Sequence, residues 1–139
     1  FQSSLETTSR LKDFGARHVI ARASRGIHEK FLLRNGADET VYPARQLALW
    51  TAIRYGSNHI LDYFQLSNEY AIFEVPIPAA WEGKSIGELD IRRQYRLNIL
   101  GMKTAGRITL NLSAQTVFTP DSAVLVAGTQ EDVARIFKK

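Results

Sequence analysis

The feature that most constrains the fold is the alternation of helical segments with short apolar runs over the first forty residues. Residues 18–21 and 39–42 are runs of the kind found in buried strands, and a helical pattern precedes each of them. Gly15 and the Asn35-Gly36 pair follow the two helices as stop signals. Because short turns separate helix, strand, helix and strand, the two strands are expected to pair in parallel. This part of the chain is therefore predicted to be of the α/β class.

Two strands are too few for a complete sheet of this kind. Helices cover both faces of a parallel sheet, and one crossover helix cannot do so. None of the nine glycines lies in a G-x-G-x-x-G sequence, the pattern of a dinucleotide-binding loop. We therefore expect the remaining strands, and any glycine-rich phosphate loop, to precede Phe1.

A helical pattern of apolar residues runs from Ala44 to Leu66 and predicts a helix, a turn at Gly56 and a second short helix. Its large apolar side chains exceed what the small α/β piece could cover. We therefore expect this stretch to pack against a second copy of the chain. The residues of the expected dimer interface are Leu47, Trp50, Ile53, Ile60, Leu61 and Phe64.

The period of the apolar pattern changes after Ser67-Asn68-Glu69, which we interpret as the seam between two domains. Ser85-Ile86-Gly87-Glu88 has the spacing of a capping box and predicts a short helix that ends near Tyr95. The predicted strands are residues 70–75, a hairpin of 98–103 and 107–111, and 123–127, with a closing helix at 130–137. The order predicts a small α+β unit. The predicted divisions are 1–43, 44–66 and 67–139.

The sequence offers little for catalysis. It contains no cysteine, so disulfides and thiolate metal sites are excluded, and no histidine lies three or four residues from another. The serines occupy predicted caps and turns, without a G-x-S-x-G elbow. We predict neither an enzyme nor a metal site. The net charge of +4 comes from scattered basic residues, which favours solvated surface over a nucleic-acid site.

The segment from Ser85 to Arg93 is the best candidate for a ligand site. A helix start beside Arg92 and Arg93 offers free N–H groups and guanidinium groups to a small anion. The alternative is a surface ion pair between Asp90 and Arg93, one helical turn apart. The residues alone leave both interpretations open.

The sequence resembles two known families along nearly its whole length. Residues 1–43 resemble the second half of an RCK (regulator of potassium conductance) domain, a Rossmann-like fold. The later residues resemble the TrkA-C domain of Trk- and Ktr-type potassium-uptake subunits. The segments that carry the first resemblance are 19–23 (VIARA), 27–28 (IH), 35–38 (NGAD) and 41–43 (VYP). Those that carry the second are 70–75 (YAIFEV), 83–92 (GKSIGELDIR), 98–100 (NIL), Asp121 and 124–128 (VLVAG).

The resemblance implies a non-enzymatic gating subunit of a bacterial potassium channel or transporter, located in the cytoplasm at the inner face of the cell membrane. Such subunits form homodimers that assemble into octameric rings below a membrane partner, and the helix between their domains mediates the dimer crossover. Their RCK domain binds ATP, ADP or NAD(H). In this sequence Arg22 and Ser24, just past the end of a predicted strand, would border the nucleotide pocket.

The resemblance also implies a second ligand, because several TrkA-C domains bind cyclic di-AMP across their dimer interface. The matching positions are Ile86, Asp90 and Arg92. The sequence departs from the binders at Gly87, where an apolar side chain is common, and at Ala114, where proline is common.

A further departure is Ala44, which follows Pro43 where many relatives carry an acidic residue associated with cation binding. The same domains also occur as regulatory tails of cation/proton antiporters and in DNA-binding regulators, and these alternatives stay open, as does a fragment of an NAD-dependent oxidoreductase.

Overall fold

The computed structural model describes residues 1–138. They form two compact units, one of residues 1–51 and one that begins at Ala52. The division falls inside helix α3 (Pro43–Tyr55). Among the described residues, no helix is long and apolar enough to cross a membrane.

The first unit has the predicted order of elements. These are α1 (Gln2–Asp13), β1 (Ile20–Arg22), α2 (Gly26–Arg34), β2 (Glu39–Val41) and the start of α3. Strands β1 and β2 pair in parallel, with Ala21 opposite Thr40, as the sequence predicted. The buried core consists of Ala23, Leu32 and Ala37. Helix α2 ends at the Asn35-Gly36 pair, where Gly36 has a φ of +102°, a conformation that glycine adopts without strain.

The second unit is an α+β structure built on a five-stranded antiparallel sheet. Its strands are β3 (Asp62–Gln65), β4 (Ala71–Pro76), β5 (Asn98–Thr104), β6 (Arg107–Thr109) and β7 (Ser122–Gly128), in the order β3-β4-β7-β5-β6. Its helices are a 3₁₀ turn (Ala79–Trp81), α4 (Ile86–Leu89), α5 (Ile91–Tyr95) and α6 (Gln130–Ile136). The predicted hairpin is confirmed as β5 and β6.

Alternation along the central strands separates a buried face from a partly exposed one. On β4, Phe73 and Val75 are buried while Ile72 and Glu74 are half-buried. Phe73 lies opposite Val126 of β7, which is also buried. This face packs against the apolar residues of the helices and loops, including Trp81, Phe118, Leu97, Val133 and Ile136.

The segment after Gly56 differs from its prediction. We expected a second short helix up to Leu66, but the structure has strand β3, which pairs antiparallel with β4. The spacing of Ile60, Leu61 and Phe64 fits one face of a helix equally well, so the pattern alone could not distinguish the two. Pairing with β4 decides the outcome, because it places Tyr63 opposite Phe73, with ring centroids 6.1 Å apart.

The predicted seam at residues 67–69 is the turn of a β-hairpin. The N–H groups of Leu66 and Ser67 donate to the Tyr70 carbonyl and close the turn between β3 and β4. The seam therefore lies inside the second compact unit rather than between units. The sequence pattern placed the seam here because it did not reveal β3 as a strand of the same sheet.

Candidate functional site

Helix α4 begins with the predicted capping box. The Ser85 hydroxyl accepts from the Glu88 N–H at 3.3 Å, and the Ser85 N–H donates to the Glu88 carboxylate at 2.7 Å. The bond from the Ser85 N–H, followed by that from the Ser85 hydroxyl, lowers the pKa of Glu88. The box fixes where the helix starts and so positions the residues that follow.

The predicted single helix to Tyr95 is interrupted at Asp90. This residue has a φ of +40° and a ψ of +47°, the left-handed region, and separates α4 from α5. Aspartate is among the few residues other than glycine that adopt this conformation at modest cost. The interruption leaves Asp90 at the junction of two short helices, next to Ile91 and Arg92.

A cavity of about 280 Å³ brings together all three residues predicted for the second ligand, Ile86, Asp90 and Arg92. Its other lining residues are Gly87, Ile91, Leu97, Asn98 and Ile99. Asn98, the first residue of β5, was not predicted to take part. Asn98 follows Arg92 by six residues, which matches neither helical nor strand spacing, and only the packing of β5 against α5 brings it to the cavity.

The cavity combines apolar walls with a few polar groups. Ile91 and Leu97 are buried and form fixed walls, while the Asp90, Arg92 and Asn98 side chains are exposed to a ligand. Among residues 1–138 the Arg92 guanidinium has no hydrogen bond or ion pair. Apolar walls, a guanidinium and an amide suit a purine base and a phosphate together.

The alternative that the sequence left open, an ion pair between Asp90 and Arg93, is also present. Its N–O distance is 3.8 Å, and the Arg93 side chain is 87% exposed. An ion pair so long and so exposed contributes little to stability. It engages Arg93 and leaves Arg92 available, so the two interpretations do not exclude each other.

One expectation about this site is wrong. We expected free N–H groups at the start of the helix, but the Ile86 N–H donates to the Thr116 carbonyl at 3.0 Å and the Gly87 N–H to the Ala114 carbonyl at 2.9 Å. The Glu88 N–H is taken by the capping box. The chain that follows β6 folds back against α4 and satisfies these donors. The cationic group available to an anion is therefore Arg92.

In the first unit the structure separates the two predicted nucleotide-site residues. Ser24 lines a cavity of about 420 Å³ with Phe1, Arg25, Ile27 and His28, whereas Arg22 is exposed at the end of β1 and is not part of its lining. The Ser24 hydroxyl lies 3.2 Å from His28 Nδ1, and His28 Nε2 lies 2.9 Å from the Ser4 hydroxyl.

The residues predicted for a dimer interface fall into two groups. Leu47, Phe64 and Leu61 are exposed, by 63%, 68% and 39%, and no residue of α3 is buried. Trp50 and Ile53 are half-buried, and Ile53 packs against the core of the second unit. Ile60 is 5% exposed inside that core. Within the single chain Ile60 is therefore covered by its own residues, unlike the other five.

A sequence model of the TrkA-C domain matches residues 70–139, half of the chain. The chain belongs to the TrkA-C domain family. The matched region starts three residues after the predicted boundary at 67 and contains the whole cavity around Arg92. Strand β3 lies before the matched region, although it belongs to the same sheet.

Two curated relatives of this TrkA-C chain come from Bacillus subtilis strain 168. Ktr system potassium uptake protein C is 33% identical over 138 residues, which cover 99% of this chain and 62% of the relative. Ktr system potassium uptake protein A is 28% identical over 134 residues, which cover 96% of this chain and 60% of the relative. The chain thus spans about three fifths of the length of these relatives.

A solved structure extends the likeness to the first unit of the TrkA-C chain. The crystal structure of the GsuK RCK domain matches 96% of this chain and 30% of its own chain, with a TM-score of 0.53 and 25% sequence identity. The predicted fold, part of a Rossmann-like RCK domain followed by a TrkA-C-type α+β domain, is confirmed.

Proposed function

We propose that this chain is the regulatory, ligand-sensing part of a bacterial potassium-uptake system. The observation that carries the proposal is the cavity in which Ile86, Asp90 and Arg92 meet, inside the TrkA-C domain of a chain similar to Ktr potassium uptake proteins. The cavity offers binding groups but no nucleophile paired with a base. Its chemistry therefore supports binding without bond making, and we propose no enzymatic activity.

The proposed ligand of this cavity is cyclic di-AMP. Ile86, backed by the buried Ile91 and Leu97, would contact an adenine, Arg92 a phosphate, and Asn98 the polar edge of a base. Gly87 supplies no side chain to this contact. We therefore expect weaker binding than a larger apolar residue at position 87 would give.

An adenine nucleotide, ATP, ADP or NAD(H), is the proposed ligand of the first unit. The cavity beside Ser24 follows the carboxyl end of β1, where ligands of such sheets bind. Arg22 stands outside this cavity, so its proposed role is limited to the outer edge of a larger site completed by other strands.

The proposed assembly is a homodimer that joins into an octameric ring. Its proposed interface residues are Leu47, Trp50, Ile53, Ile60, Leu61 and Phe64, of which Ile60 is covered by its own chain. The ring would act on a membrane-embedded potassium channel or transporter from the inner face of the cell membrane. A ligand that binds one arrangement of the copies more tightly than another shifts the balance between them, and the shift is transmitted to the membrane partner.

A ligand screen by thermal shift tests this function. The purified chain is heated with ATP, ADP, NADH or cyclic di-AMP, and with cyclic di-GMP as a control that differs only in the bases. A ligand that prefers the folded state raises the melting temperature. We expect cyclic di-AMP to raise it and cyclic di-GMP not to. If none of the five compounds raises the melting temperature above that of the chain alone, the proposal is contradicted.

A further inference from the structure

A second cavity in the TrkA-C unit lies between α6 and the connection from α3 to β3. Its volume is about 300 Å³, within the range of small-molecule sites. The residues that form most of it are His59, Ile60, Val133, Ala134, Phe137 and Lys138. It shares no residue with the cavity around Arg92.

The apolar part of this cavity is anchored in the core. Ile60 is 5% exposed and Val133 is 1% exposed, so both belong to the rigid interior of the unit. His59 stacks on Phe137, with ring centroids 4.2 Å apart and an angle of 4° between the planes. The His59 N–H donates to the Ser57 hydroxyl at 3.3 Å and holds the connection in place. These contacts preform the walls, which lowers the entropy cost of binding.

Among the described residues that line the cavity, Lys138 carries the only formal charge, and Ser57, His59 and Gln130 add neutral polar groups. Lys138 is exposed, and its ammonium has no hydrogen bond or ion pair among the residues described. The imidazole nitrogens of His59 are likewise without a hydrogen-bond partner in the described chain. None of the described lining residues is acidic. An apolar floor with unpaired cationic and N–H groups at its edge complements a flat apolar body that bears one negative charge.

We infer that this cavity is a second effector site, which binds an aromatic carboxylate. The ring system lies against Ile60, Val133 and the stacked Phe137, and the carboxylate accepts hydrogen bonds from Lys138 and His59. A ligand bound here contacts both α6 and the connection between α3 and β3, and so stabilises the second unit. The inference rests on this cavity alone and stands independently of the proposed response to nucleotides.

A titration with 2-naphthoate, followed by NMR, tests the inference. The purified chain is labelled at its methyl groups, and the shifts of Ile60, Val133 and Ala134 are followed as the probe is added. We expect saturable shifts confined to these methyls, with a Kd of about 1 mM or tighter for so small a ligand. The neutral 2-naphthamide controls for the negative charge and is expected to bind at least about fivefold more weakly.

Two variants with matched controls separate the parts of the site. Lys138→Gln removes the cation and is expected to weaken naphthoate binding about fivefold. Lys30→Gln makes the same change on α2 and is expected to leave binding unaltered. Ala134→Trp fills the cavity and is expected to abolish binding, whereas Glu131→Trp, on the same helix but outside the lining, is not.

If Ala134→Trp fails to fold, the inference is still tested in two ways. One is the comparison of Lys138→Gln with Lys30→Gln, and the other is the comparison of naphthoate with the neutral naphthamide. Equal binding of naphthoate and naphthamide, or equal affinities of Lys138→Gln and Lys30→Gln, overturns the anion site. Shifts spread over the whole surface, or located at Ile86 and Ile91, overturn the assignment to this cavity.

Discussion

Gly87 and Ala114 are in direct contact, with the Gly87 N–H donating to the Ala114 carbonyl at 2.9 Å. A Cβ atom on Gly87 would lie 3.1 Å from that oxygen and 3.3 Å from the Ala114 Cβ. These are the two positions that the resemblance to cyclic di-AMP-binding TrkA-C domains marks as departures. The departures thus form one structural feature, in which the absence of a side chain at position 87 lets the chain after β6 lie against α4.

Gly87→Ala tests how closely this segment must approach the helix. The new methyl crowds Ala114 at an overpacking cost of about 1–3 kcal/mol, while the gain in helix propensity is about 1 kcal/mol. We expect the free energy of unfolding, measured in urea, to fall by about 1 kcal/mol. The control is Gly26→Ala at the start of α2, where a Cβ meets nothing within 4 Å. If both variants are equally stabilised, the contact imposes no constraint.

Arg92→Ala tests the cation of the candidate site. Arg92 lines the cavity and has no ion-pair partner among the described residues, so its loss removes the group that is free to bind a phosphate. We expect the affinity for cyclic di-AMP, measured by calorimetry, to fall about tenfold. Arg107→Ala, on β6, is the control and is expected to bind as the unmodified chain does. If the two variants lose affinity equally, the ligand does not bind in this cavity.

The dimer surface is tested by Leu47→Glu. Leu47 is 63% exposed within its own chain, so a carboxylate there leaves the fold intact but would be buried without a partner in a dimer. We expect sedimentation velocity to show mainly monomer at concentrations at which the unmodified chain is dimeric. Gln46→Glu adds the same charge at an exposed neighbouring position of α3 and is expected to remain dimeric. If the Leu47→Glu chain is still dimeric, Leu47 is not part of the interface.

Asp38 gives the first unit a predictable response to acid. Its carboxylate accepts from Lys12 Nζ at 2.9 Å and from the Val19 N–H at 2.6 Å. The bond from Lys12, followed by that from Val19, lowers the pKa of Asp38 below its ordinary value of 3.8. The stabilisation is therefore fully present above the unfolded pKa near 4, and it is lost as the pH falls through the lower folded pKa.

Melting experiments on Asp38→Asn test this dependence of stability on pH. We expect the variant to melt below the unmodified chain at pH 6, and the difference to shrink as the pH falls below about 4. Asp13→Asn, which removes an exposed carboxylate of α1, is the control and is expected to change the melting temperature little at either pH. A difference for Asp38→Asn that grows towards acid pH contradicts the assigned direction.

The sequence predicted most of the fold wherever a local signal was unambiguous. The stop at Asn35-Gly36 and the capping box at Ser85 and Glu88 occur where expected, because each depends only on neighbouring residues. Strand β3 was missed because Ile60, Leu61 and Phe64 suit a helix as well as a strand. Only pairing with β4, the next strand of the chain, settles which forms.

The candidate site was predicted in part, and for a similar reason. Ile86, Asp90 and Arg92 lie within seven residues, and they line one cavity. The contribution of Asn98 depends on how β5 packs beside α5, and the loss of free N–H groups depends on Thr116 and Ala114, which come much later in the chain. Contacts between residues so far apart in sequence leave no trace in local spacing.

The central claim is that the cavity around Arg92 binds cyclic di-AMP. The resemblance to TrkA-C domains that bind this ligand across their dimer interface implies that two copies of the chain would share one molecule. Isothermal titration calorimetry with cyclic di-AMP tests it most directly, since the method gives affinity and stoichiometry together. We expect one saturable event with one ligand bound for every two chains. No detectable binding, or one ligand bound to every single chain, contradicts the claim.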